Sequence, residues 1–154
     1  MSEAVMQLLI QDVLQDIPEF HDASVTINDW SRSDLSGDLA PFAVITNADA
    51  FTSRQDTATP TTTWQIRVEL WVRNVPQQSD ALGRLRDLRQ AVIDQFNLLA
   101  SQRAGPAGES VTVDLIESDG PISAAYDVYL SPDDMPQAMP TYWMQALRLT
   151  VEEY

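Results

Sequence analysis

From Thr63 to Arg73 the chain alternates without a break: Trp64, Ile66, Val68, Leu70 and Val72 take one side, and Thr63, Gln65, Arg67, Glu69, Trp71 and Arg73 the other. Side chains point alternately to the two faces of a strand, so this run predicts a strand with one apolar face against a core and one amphipathic face turned away. Such a strand is not stable alone; it requires sheet neighbours and something apolar laid over its core face. The closing run Trp143, Gln145, Leu147, Leu149 and Val151 alternates in the same manner, as do Val111, Val113 and Leu115, and then Ile122, Ala124, Tyr126, Val128 and Leu130. Val25 with Ile27, and Phe42 to Ile45, add two short strands.

Two segments have the helical period instead. Val5, Met6, Leu9, Ile10, Val13 and Ile17 follow Ser2, which can cap a helix, and the pattern stops at Pro18, predicting a helix over 3–16. Leu82, Leu85, Leu88, Val92, Phe96 and Leu99 follow Ser79 and predict a second, longer helix over 79–101, closed by Gly105, Pro106 and Gly108. The segment from Asn47 to Thr63, with Pro60 and several threonines, has no helical period and predicts an extended hairpin loop. Together these elements predict a single domain over residues 1–154 of the α+β class. Its sheet is mixed or antiparallel with about six strands, carries its two main helices on one face and bears a long β-hairpin extension. The other face would carry Arg67, Trp71, Arg73, Tyr129 and Met144, a patch of the kind that takes a partner.

Several kinds of chemistry are excluded by composition. There is no cysteine, so disulfides, thiolate metal sites and cysteine nucleophiles are absent. All nine basic residues are arginine, and without lysine neither a P-loop nor a Schiff base can form. His21 is the only histidine, too little for a zinc site, and no GxSxG elbow marks a serine beside it. Asp34 to Asp38 lacks the glycine position and the terminal glutamate of a calcium loop and reads as an acidic turn. Asp133 with Asp134, and Glu152 with Glu153, are sequence neighbours that a strand would send to opposite faces, so they read as solvated charges. No catalytic, cofactor or metal site is expected. The first residues lack the basic start of a secretory signal, and no apolar run approaches the roughly 20 residues of a membrane span. The expected setting is therefore aqueous.

The formal net charge is −14. It disfavours a protein that grips phosphates, because that needs a basic stripe. An arginine-using host would account for the missing lysine without any functional reason.

The order of elements adds a resemblance. An N-terminal amphipathic helix, strands, a long hairpin, the run Trp64-Gln-Ile-Arg-Val-Glu-Leu-Trp-Val-Arg73, a long helix and the closing strand Ala146-Leu-Arg-Leu-Thr-Val151 make a layout that resembles the tail terminator (tail completion) proteins of lambda-type long-tailed bacteriophages, and more loosely the related neck proteins. The resemblance implies a non-enzymatic virion protein of the tail-neck region, assembled in the host cytoplasm. It would form a homo-oligomeric ring, usually of six subunits, that caps the tail tube and docks to the head connector or stopper protein. DNA would pass through the bore without specific binding, which an acidic wall favours. The family has no catalytic residues to carry over. The residues expected to make ring or tail contacts are Arg67, Trp71, Arg73 and Tyr129 on the outward face, with Phe51 and Arg54 on the hairpin. Another head-to-tail assembly protein, or a monomeric acidic module that mimics DNA, are the alternatives.

Overall fold

Ser2 starts the first element in the expected way: its Oγ accepts a hydrogen bond from Val5 N at 3.3 Å, and Glu3 complements the helix dipole. The helix α1 runs Glu3–Gln15 and ends before Pro18. The computed structural model describes residues 2–20, 24–28, 41–53, 61–74, 80–98, 103–104, 110–125 and 142–153. After α1 come β1 (Val25–Ile27), β2 (Phe42–Ser53), β3 (Thr61–Arg73), the helix α2 (Ala81–Leu98), β4 (Arg103–Ala104), β5 (Ser110–Ser118), β6 (Ser123–Ala125) and β7 (Tyr142–Glu153).

The strands form one seven-stranded mixed sheet in the order β1-β2-β3-β7-β5-β4, an α+β fold with one strand more than the sequence suggests. The extra strand is the two-residue β4, too short to leave a pattern. The β1–β2 pair is parallel, and the pairs β2–β3, β3–β7 and β5–β7 are antiparallel. At the centre, β3 pairs with the whole of β7, from Thr62 opposite Glu153 to Arg73 opposite Tyr142. β5 and β6 share the far edge of β7, joined by a turn at Gly120, whose φ of 97° suits glycine.

The segment expected to be a loop between Asn47 and Thr63 is instead largely strand. β2 continues to Ser53 and β3 begins at Thr61, with Phe51 opposite Thr63 and Ser53 opposite Thr61. A register shift between Thr46 and Ala48 marks a bulge that interrupts the alternation there. The threonines that suggested a loop are β-branched and favour strand, and rungs near a hairpin tip need no apolar face to pair. Residues 54–60 lie outside the described residues.

Both helices lie over one face. On it Trp64, Ile66, Val68, Leu70 and Val72 of β3 and Leu147, Leu149 and Val151 of β7 meet Met6, Ile10, Val13 and Leu14 of α1 and Leu85, Leu88, Val92 and Phe96 of α2. α2 is capped by Asp80, one residue later than the expected Ser79: Asp80 Oδ1 accepts from Gly83 N at 2.9 Å. Ser79 and residues 99–101 lie outside the described residues, as do residues 126–130 of the strand expected to continue from β6. Glu153 was expected to be solvated, but it faces the core, and its Oε2 accepts from Trp64 Nε1 at 2.8 Å. The indole is the reason: on the apolar face its N–H needs an acceptor, which the penultimate residue supplies. No helix among the described residues is long and apolar enough to cross a membrane.

Candidate protein-contact surface

The face of the sheet away from the helices changes character along its length. Where β2 and β7 begin, it is apolar and closed. The Phe42 and Trp71 rings stack at 5.6 Å and 9°, Tyr142 meets both edge-on, and Val44 is buried beside them. Trp71, expected as an outward contact, therefore packs largely against its own chain. Its Nε1 is buried without a hydrogen-bond partner among the described residues.

One rung further, the face becomes ionic. Arg67 and Arg148 stand directly opposite each other on β3 and β7, a like-charge pairing that a sheet tolerates poorly. Asp119, in the turn after β5, resolves it. Its Oδ2 accepts from Arg67 Nη1 and its Oδ1 from Arg148 Nη2, both at 2.8 Å. Asp119 N also donates to Ala146 O at 2.9 Å, which fixes the turn against β7. The hydrogen bond from Arg67, opposed by partial burial and reinforced by Arg148, holds the Asp119 carboxyl below its ordinary value. It stays ionised in neutral solution and ties the two arginines together. Arg67 also reaches Glu69 Oε2 at 3.5 Å.

Toward the hairpin tip the face opens. Gln65 Nε2 donates to Thr150 Oγ1 at 3.4 Å, Asp49 and Glu117 are exposed, and Leu115, opposite Thr150, is 50% exposed. No described helix covers this area: the contacts of α1 and α2 belong to the core on the other side.

Of the residues expected to make contacts, the structure brings Arg67, Trp71 and Arg73 onto one face of β3. Arg73 is half-buried, and its carbonyl accepts from Arg84 Nη2 at 2.9 Å. Phe51 is placed on β2 opposite Thr63. Arg54 and Tyr129 lie outside the described residues, as do His21, Asp34 to Asp38 and Asp133 with Asp134. Sequence reasoning missed Asp119 and Arg148. Arg148 was detectable, since it alternates outward in the closing strand; Asp119 was read only as part of a strand-ending turn.

A second feature lies at the helix side. A cavity of about 330 Å³ opens between Glu19, Pro41, Val72, Arg84, Asp87 and Leu88. It has an apolar floor and a charged rim, and it is at the small end for a ligand site. Among the described residues no trio of His, Cys, Asp or Glu is placed to hold a metal ion. No protein-family model and no curated protein matches the chain.

Proposed function

We propose that the protein is a non-enzymatic assembly protein that forms an oligomeric ring, caps a phage tail tube and joins it to the head connector. The observation that carries this reading is the contrast within the outward sheet face. Beyond the Arg67 rung it presents guanidinium, carboxylate, amide and hydroxyl groups around the half-exposed Leu115, with no described helix against it. A mixed polar surface with an apolar anchor is what protein partners bury. The order of elements, with a long hairpin leading into the central strand β3, supports the tail-terminator form of the reading. The net charge of −14 supports a bore that lets DNA pass without holding it.

The test is reconstitution. Purified protein is added to tail tubes and filled heads made without it, and joined particles are counted by negative-stain microscopy. The reading expects a ring at the tube end and joined particles. Tubes left bare and heads left unjoined contradict it. A protein that instead stays monomeric and competes with DNA for a DNA-binding protein is the acidic mimic.

A further inference from the structure

β5 and β6 lie along the same edge of β7 as one strand interrupted at a corner. β5 pairs with β7 as far as Ser118 opposite Leu147, β6 resumes at Ser123 opposite Met144, and residues 119–122 lie between. In the interruption Gly120 takes a positive φ, and Pro121 has no N–H to give to a ladder. Past the corner the hold on β7 is thin. β6 has three rungs, its residues Ser123, Ala124 and Ala125 are small, and Ile122 is the one large aliphatic side chain of the corner packed against the core. Charge supplies what burial does not. Arg67 and Arg148 stand opposite each other on β3 and β7, and the Asp119 carboxylate accepts from both at 2.8 Å. Glu69 on β3 reaches Arg67 at 3.5 Å, and Glu117 on β5 stands opposite Arg148. Asp119 bridges the two arginines and also donates its own N–H to Ala146 O at 2.9 Å, so the side chain and backbone of one residue hold the corner. Its side chain is 24% exposed, and water and protons reach the bridge without unfolding.

We infer that Asp119 is the latch of a corner, residues 118–125, that opens from β7 as a unit when the carboxylate is neutralised, driven by repulsion between Arg67 and Arg148, while the core of the sheet stays folded. This inference does not depend on the ring reading. Opening breaks the three rungs of β6 and lifts Ile122, whereas separating β3 from β7 would break a pairing that runs from Thr62 to Arg73 over the buried core. It bares the edge of β7 at residues 142–144, whose freed backbone groups are a template for another strand. Tyr142 at that edge belongs to the aromatic cluster with Phe42 and Trp71, so the latch controls the margin of the closed end of the outward face. The direction of the acid response follows from the bridge. The Asp119 carboxyl, held low chiefly by the hydrogen bond from Arg67, returns toward its ordinary value when the corner opens. The latch is therefore fully closed above the ordinary aspartate value and releases as pH falls through the lowered one.

The experiment is native-state amide hydrogen exchange on the full chain, resolved by NMR at low denaturant. It compares wild type, Asp119→Asn and Asp119→Asn with Arg148→Gln, each first shown to fold by a thermal melt. In wild type, the amides of residues 122–125 and 142–144 that pair β6 with β7 should exchange faster than those of residues 66–70, and with little dependence on denaturant, the mark of a local opening. Corrected for the intrinsic rate, their protection should fall with pH in the acid range for wild type and stay level for Asp119→Asn. At neutral pH, Asp119→Asn should speed their exchange about fivefold, and adding Arg148→Gln should return part of that protection. A corner with the same protection and denaturant slope as residues 66–70 opens only with the whole molecule, which overturns the inference. An Asp119→Asn corner that exchanges like wild type overturns Asp119 as the latch. If Arg148→Gln restores none of the protection, repulsion between the arginines is overturned as the driving force.

Discussion

The two faces of the sheet are made from alternate residues of the same strands, yet they are held by different physics. On the helix side, burial does the work: Ile66, Val68, Leu70, Leu147 and Leu149 are almost fully excluded from water under α1 and α2. On the other side, stability comes from an aromatic cluster at one end and an arginine–aspartate bridge in the middle, and the far end contributes little. That far end, which adds little to folding, is free to be used for contact.

That difference is sharpest in its response to substitution. Truncating the centre of the covered face, as in Leu149→Ala, should cost about 3 kcal/mol in denaturant unfolding, because a cavity remains where α2 and β7 meet. A loss under 1 kcal/mol would mean the helices are not seated as described. Trp64→Phe keeps the ring but removes a donor from the buried Glu153 carboxylate, and should cost about 2 kcal/mol.

Asp119→Asn on the open face should cost only about 1 kcal/mol, since the bridge is partly solvated and screened by salt. Its signature is in pH. The Asp119 carboxyl titrates lower in the folded chain than in the unfolded one, so the unfolded state binds more protons in the acid range. The stabilisation is complete above the ordinary aspartate value and is lost as pH falls through the lowered folded value. Asp119→Asn should flatten that part of the stability curve; an unchanged acid limb would show the bridge is not formed in solution.

Leu115→Ser should change stability by less than about 0.5 kcal/mol, because the side chain is already half in water. It should nonetheless reduce joining of tails to heads if the open face is the contact. Full joining activity would move the contact elsewhere on the molecule.

The covered face was legible in the sequence, and the open one much less so. Period-two alternation in Trp64 to Val72 and Trp143 to Val151, and the three-and-four spacing of Leu85, Leu88, Val92 and Phe96, report burial directly, so the core and both helices could be read. The hairpin extension was legible, but not how far its strands run, because the Asn47 bulge and the polar rungs at Thr61 to Thr63 have no such period. Nor was the Arg67–Asp119–Arg148 bridge legible, since it depends on register between residues far apart in the chain. The cap of α2 is Asp80, one residue from the Ser79 the sequence suggests, because two neighbouring residues can both cap and their sequence alone does not choose between them.

If this chain works by assembling, its mass in solution shows it. Light scattering would be run over a concentration and salt series, with and without purified tail tubes. The ring reading expects a ring of several subunits, or a monomer that assembles once tubes are added. A monomer at every concentration, indifferent to tubes, would contradict it.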